Sequence, residues 1–209
     1  TVTYVITPVF TNGAATCTGT PVTAVVTVNP IPVVTATPNT QAICSGGSTS
    51  VALTSNVPGT SFSWTVTDNP NVTGEANGSG SSITQTLSLA AGVTTPQVVT
   101  YTVKHKANGC AGSNTTVTIT VNPNPVAPTI TTTNANCGEN NGSADFTIPA
   151  GMTVAYSEGT VFDVINAVPV TTTPVTGLTP GNYVFRFTSN STSCFTDVVI
   201  SIGLDELVP

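Results

Sequence analysis

The chain reads as short runs in which Val, Ile, Thr and aromatic residues alternate with small polar ones, broken by clusters of Gly, Pro, Asn and Ser. In Ser61-Phe62-Ser63-Trp64-Thr65-Val66, Phe62, Trp64 and Val66 fall on one face, with Trp64 the expected core residue. In Tyr183-Val184-Phe185-Arg186-Phe187 the three aromatics share a face and Arg186 lies opposite, toward water. Such period-two patterns predict half-buried strands. Strands are expected at 33–37, 49–55, 61–67, 82–89, 98–105 and 115–121, then at 143–148, 152–157, 168–173, 182–188 and 196–202. Turn clusters such as Ser45-Gly46-Gly47-Ser48, Asp68-Asn69-Pro70-Asn71 and Ala107-Asn108-Gly109 separate them. Short strands at this density predict an all-β chain of antiparallel immunoglobulin-like sandwiches.

The pattern repeats. Val2-Thr3-Tyr4 returns as Val99-Thr100-Tyr101, and Cys17 and Asn29 return as Cys110 and Asn122, both 93 residues on. That period suits tandem domains, each with its own core, and exceeds the repeat of a solenoid. Residues 1–29 are then the last strands of a repeat whose beginning lies upstream, and 30–123 form a complete repeat. Residues 124–203 form a different sandwich, and 204–209 a linker or tail. The boundaries Asn29-Pro30-Ile31-Pro32 and Asn122-Pro123-Asn124-Pro125 are proline-spaced, which favours an extended, stiff connection end to end. The hairpin of 1–29, lacking most of its sandwich, is expected to be marginal unless upstream chain or another chain completes its sheet.

Composition narrows the function. Only 6% of the 209 residues are charged, with 3 Lys and Arg, 9 Asp and Glu, and a net charge of -6. Three cations cannot neutralise a row of phosphates, so a nucleic-acid partner is not expected. No apolar run approaches the ~20 residues of a membrane span. The lone His105, between Lys104 and Lys106, reads as a solvated surface residue. No nucleophile elbow, zinc-spaced cluster or phosphate loop occurs. Carboxylate pairs for glycoside hydrolysis would have to come from Asp68, Glu75, Glu139, Asp145, Glu158 or Asp163, which fall in loops or on outer faces. No catalytic, cofactor-binding or metal-binding residue is therefore assigned, and the chain is not read as an enzyme. Calcium is the one ion weighed, through the turns 68–71 and 139–142, where Asx turns would use the same oxygens locally.

The five cysteines carry more. Cys44 and Cys110 fall in the complete repeat, Cys137 and Cys194 in the last module. Cys17 matches Cys110, so its partner would lie upstream and it is left unpaired by truncation. Four expected strands separate the members of each pair, and an even number of antiparallel strands returns the chain to the pole it left. Cys44–Cys110 and Cys137–Cys194 are therefore expected as intramodule bridges, each stabilising its domain by about 4 kcal/mol. Bridges at this density point to an oxidising, extracellular setting.

The runs Ile43-Cys44-Ser45-Gly46-Gly47, 53–64, Asn108-Gly109-Cys110 and Val121-Asn122-Pro123 closely resemble the PKD-like repeats of very large Bacteroidetes surface proteins. Residues 1–29 resemble the tail of the same repeat. The third module, with Cys137-Gly138-Glu139-Asn140-Asn141-Gly142, Gly177-Leu178-Thr179-Pro180-Gly181-Asn182-Tyr183 and Cys194, resembles the repeat named after the gliding adhesin SprB, without that family's Tyr-Xaa-Trp strand. The resemblance implies a stalk segment of a cell-surface adhesin exported by the type IX system and attached to the outer membrane through the rest of the parent protein. Its partners would be neighbouring repeats, with surface glycans or other surface and secretion proteins as further candidates. The alternatives are a glycan- or protein-binding sandwich, for which Phe10, Tyr156, Phe162 and Phe195 are the aromatics not assigned to a core, and an accessory domain of a secreted hydrolase.

Overall fold

The computed structural model describes residues 1–205; residues 206–209, expected as part of a tail, lie outside the described residues. Residues 1–29 form two antiparallel ladders, β1 (Val2–Ile6) with β4 (Val22–Val26) and β2 (Val9–Asn12) with β3 (Ala15–Thr18). They have no facing sheet: Tyr4 is 54% exposed, whereas its counterpart Tyr101 in the complete repeat is fully buried.

The second module shows what that ribbon lacks. Its strands are β5 (Val34–Thr37), β6 (Thr40–Cys44), β7 (Gly47–Ser48), β8 (Val51–Ser55), β9 (Ser61–Val66), β10 (Val72–Thr73), β11 (Gly78–Ser79), β12 (Ser82–Ile83), β13 (Thr86–Leu89), β14 (Gln97–Ala107), β15 (Cys110–Ala111) and β16 (Thr115–Asn122). One sheet runs β11-β9-β14-β16-β6; β12-β8-β5 and β10-β13-β7 are the smaller sheets. The side chains that alternate inward, among them Val99, Tyr101, Val103, Val117, Ile119 and Val121, are wholly buried and pack with Trp64, Leu53 and Ile83. Burial of such side chains, at about 1.5–3 kcal/mol each, is what holds the sheets together. Trp64 keeps its indole N–H satisfied on the carbonyl of Ala76 at 3.2 Å. Asn108 and Gly109 both have positive φ, the backbone of a tight Asn-Gly hairpin between β14 and β15.

The third module has its own core. Its strands are β17 (Thr131–Thr133), β18 (Ala135–Asn136), β19 (Gly142–Asp145), β20 (Met152–Glu158), β21 (Val168–Val170), β22 (Val175–Leu178), β23 (Gly181–Ser189), β24 (Phe195–Ile202) and β25 (Leu204–Asp205). A sheet ordered β21-β20-β23-β24 packs on β17-β19-β22. Tyr183, Phe185 and Phe187 point inward as their alternation predicts, and Phe146 meets Phe185 and Phe187 edge-on. The Tyr183 hydroxyl donates to the carbonyl of Thr179 and accepts from the Thr179 amide at 3.0 Å, a tyrosine corner that pins the turn before β23.

In each module a short strand runs parallel to the module's own last strand. β6 pairs with β16, placing Cys44 beside Asn122, and β18 pairs with β25, placing Asn136 beside Asp205. The sequence pattern predicts no strand at β6 or β18. It also missed a crossing in each module: β11 pairs with β9 and carries the chain back across the second, and β22 does so in the third. The chain therefore crosses its module five times between Cys44 and Cys110, through β7–β8, β9, β10–β11, β12–β13 and β14, and five times between Cys137 and Cys194, through β19 to β23, an odd number in both. The members of each expected pair lie at opposite poles. The seven steps from Thr115 to Asn122 alone span roughly 23 Å at 3.3 Å per residue, against a Cα–Cα distance of 5.5 Å across a bridge.

Tyr101 offers a check on the packing of the second module. Its hydroxyl donates to Gln85 Oε1 at 2.6 Å, and burial, followed by the nearby Glu75 carboxylate, pushes its pKa up to about 12. A raised pKa favours the neutral phenol in the folded state. The stability this contributes is complete below the unfolded value near 10 and is lost as pH rises through about 12. Melts between pH 9 and 12 should show a larger alkaline loss in the parent than in Tyr101→Phe. The variant itself should cost about 1 kcal/mol at neutral pH.

Candidate functional site at the module junction

The intramodule bridges expected from the sequence are not formed. Cys44 is bonded to Cys194, across the junction between the second and third modules, while Cys17, Cys110 and Cys137 are free. The topology explains this. β6 delivers Cys44 to the pole where the second module ends, and Cys194 sits in the β23–β24 hairpin, at the pole where the third begins.

The linker between them is held from both sides. The Ser45 amide donates to the carbonyl of Asn122 at 2.8 Å, and the Asn124 side chain donates to the carbonyl of Ser45 at 3.2 Å. The Ser45 hydroxyl accepts from the Leu89 amide, which fixes the turn after Cys44. From the third module, the Thr196 hydroxyl donates to the carbonyl of Pro125 at 2.6 Å. The Cys194 carbonyl accepts from the Ser189 amide at 2.8 Å, closing the hairpin, and Cys194 is fully buried. A cleft beside the linker is lined from both modules, by Val93 and Thr94 on one side and Gly151, Met152 and Ser189 on the other.

The upstream junction is built the same way. Pro32, which corresponds to Pro125 by the repeat, presents its carbonyl to His105 Nε2 at 2.9 Å. A carbonyl can only accept, so Nε2 carries the proton. His105 is therefore not the solvated surface residue its lysine neighbours suggested: β14 turns it inward at 5% exposure, and its Nδ1 is buried without a partner. Gly112 closes over it, and a Cβ there would run into both the imidazole and the Pro32 carbonyl. The Asn29 side chain donates to the carbonyl of Asn108 at 3.1 Å, tying the linker to the hairpin that carries Cys110.

The remaining candidates are dispersed. Asp68, Glu139, Asp145 and Glu158 are exposed, and Glu75 and Asp163 half-buried. Glu158 and Asp163 line one cleft with Tyr156 and Tyr183. There the Asp163 carboxyl is held below the usual carboxylate range, first by the Asn166 side-chain amide and then by the Ile165 amide. In the two oxygen-rich turns 68–71 and 139–142, Asn69 Oδ1 accepts from the Asn71 amide and Glu139 Oε2 from the Asn136 and Asn141 side chains. Among the described residues no three His, Cys, Asp or Glu side chains gather as a metal site. Among the described residues no helix is long and apolar enough to cross a membrane.

Of the aromatics not assigned to a core by the sequence pattern, Phe10 is 68% exposed on the ribbon that has no facing sheet, and Tyr156 stacks on Phe185 at 5.3 Å. Phe162 and Phe195 receive the Arg186 guanidinium, at 4.1 and 3.7 Å from their centroids, while it grips Asp197 through two 2.7 Å hydrogen bonds. The cation covers a face of each ring that a sugar would otherwise stack on.

Two substitutions test these contacts. His105→Ala strands the Pro32 carbonyl and should lower the stability of the second module by about 1–3 kcal/mol in denaturant unfolding. Arg186→Ala removes a cation–π sandwich and an ion pair, and should cost the third module about 1–2 kcal/mol.

A family model described as a PKD-like domain matches residues 41–125, from within β6 to the linker proline. No curated protein sequence matches the chain. Among solved structures, the chain is similar to the FN1–FN3 domains of chicken CNTN1, at 11% identity over 96% of this chain and 76% of that one, TM-score 0.39. It is also similar to the human Desmocollin-1 ectodomain, at 12% identity over 91% and 40%, TM-score 0.33. Drosophila N-cadherin EC1-3 aligns at 11% identity over 85% and 68%, TM-score 0.30. The architecture rests on the strand pairing described above: an all-β chain of immunoglobulin-like sandwiches, in which residues 41–125 match a PKD-like domain.

Proposed function

We propose that this segment is a non-catalytic, load-bearing spacer of an extracellular adhesin-type surface protein. The observation that carries the reading is the Cys44–Cys194 bridge, which ties one module to the next beside a linker already held by both. A catalytic or ligand-binding module has no need of a covalent tie to its neighbour's hairpin; a string under tension does. The PKD-like match supports the reading, since that fold is typically a structural module. So does the redox chemistry, because a bridge between sandwiches persists in an oxidising, extracellular setting. The covered faces of Phe162 and Phe195 weigh against glycan stacking as the segment's main task. The resemblance of the modules to PKD-like and SprB-type repeats favours a parent protein of the gliding or surface-attachment kind, exported by the type IX system and anchored through parts outside this segment.

The bridge makes a mechanical prediction. It spans a sequence separation of 150 residues, roughly 500 Å of extended chain at 3.3–3.6 Å per residue. Pulled from its ends in a single-molecule instrument, the oxidised protein should withhold that length, and addition of reductant should release it. Equal extension in both states would remove the support for a load-bearing role.

A further inference from the structure

Cys110 and Cys137 have no place in the function of the described junction, yet each occupies a position whose counterpart is bonded. Cys137 follows β18, which runs parallel to β25 at the end of the third module, as Cys44 closes β6 beside the end of β16. It is exposed at the distal pole. Cys110 opens β15 directly after the Asn108-Gly109 turn, at the proximal pole of the second module, as Cys194 sits in the β23–β24 hairpin at the proximal pole of the third.

A second observation places the partner of Cys110. Asn29 is the counterpart of Asn122, whose register partner is Cys44. Asn29 itself lies against the Cys110 hairpin, bonded to Asn108. A cysteine next to Asn29, in the place that Cys44 takes next to Asn122, would therefore face Cys110. The ribbon of residues 1–29 also exposes the very side chains that the complete repeat covers with its other strands.

We infer that Cys110 and Cys137 are half-bridges of a module-to-module disulfide ladder. In it the cysteine at the end of each parallel edge strand bonds the last-hairpin cysteine of the following module. Cys110 takes the cysteine of a PKD-like module joined on its N-terminal side, and Cys137 gives to the hairpin cysteine of a module joined on its C-terminal side. Cys17, the counterpart of Cys110, takes its partner one module further upstream. The inference rests on the reading of this segment as part of a longer string. Each bridge forms by thiol–disulfide exchange with a small-molecule disulfide. One cysteine thiolate displaces a small thiol to give a mixed disulfide, and the second cysteine attacks that sulfur and expels the other. The two electrons and two protons lost by the cysteine pair end on two small thiols.

The test is peptide mapping by mass spectrometry without reductant, after oxidation in a glutathione redox buffer and alkylation of free thiols. In the 209-residue chain, Cys44 should map to Cys194, with Cys110 and Cys137 alkylated or carrying glutathione. A Cys44–Cys110 or Cys137–Cys194 peptide would overturn the ladder and the spacer reading together. In a second protein, residues 30–97 are placed ahead of Thr1 to complete the first repeat. The added copy of Cys44 should then map to Cys110, leaving Cys17 free. Bonding of that copy to Cys17, or its staying free while Cys44–Cys194 forms, would overturn the ladder and leave the spacer reading standing. A third protein, with a copy of residues 123–205 joined after residue 206, covers the case in which the first fusion does not fold. There Cys137 should map to the added copy of Cys194, and bonding of Cys137 to the original Cys194 would overturn the inference.

Discussion

Everything at the junction depends on a short edge strand running parallel to the strand that ends each module. Parallel pairing fixes direction: β6 must finish where β16 finishes, so the cysteine that closes β6 faces the next module and not its own last hairpin. The same pairing between β18 and β25 fixes Cys137 at the far end of the third module. Antiparallel strands reverse the chain at every crossing, and five crossings then deliver each hairpin cysteine to the opposite pole. Bonds within a module are excluded by distance, and bonds between modules are favoured by position.

The linker reinforces that arrangement by a different chemistry. Pro32 and Pro125 cannot donate a backbone hydrogen bond, but each offers a carbonyl, and each carbonyl is held by the module that follows, through His105 or Thr196. Proline spacing alone gives local stiffness. The bonds to the adjacent hairpin extend that stiffness to the angle between modules, and the disulfide makes it covalent. Asn124 and Ser45 complete the hold from the preceding side.

His105 and Arg186 illustrate how tertiary contacts reassign residues that look solvated. Both lie among neighbours that suggest an outer face. Alternation on β14 puts His105 on the face of Tyr101 and Val103, where the returning linker supplies an acceptor. Arg186 does stand on the outer face of β23, but Asp197 on β24 and the rings of Phe162 and Phe195 enclose it. Pro32 lies 73 residues from His105, and Arg186 meets Asp197 and Phe195 only through the pairing of β23 with β24, so the alternation of each strand by itself shows neither partner set.

The amino-acid sequence by itself determined the secondary-structure class, the position of the long strands, the inward face of Trp64 and of the Tyr183, Phe185 and Phe187 trio, and the 93-residue spacing. These follow from side-chain period and turn chemistry, which are local. Two-residue strands such as β11 and β18 carry no period to read, because they are too short for alternation to show and are held by their partners. One unread crossing, the two-residue β11 in the second module or the four-residue β22 in the third, changes an even count to an odd one, and so decides which pole a cysteine reaches. Which cysteine bonds which was therefore settled only by the tertiary structure, since a disulfide answers to distance in space and the sequence records only order along the chain.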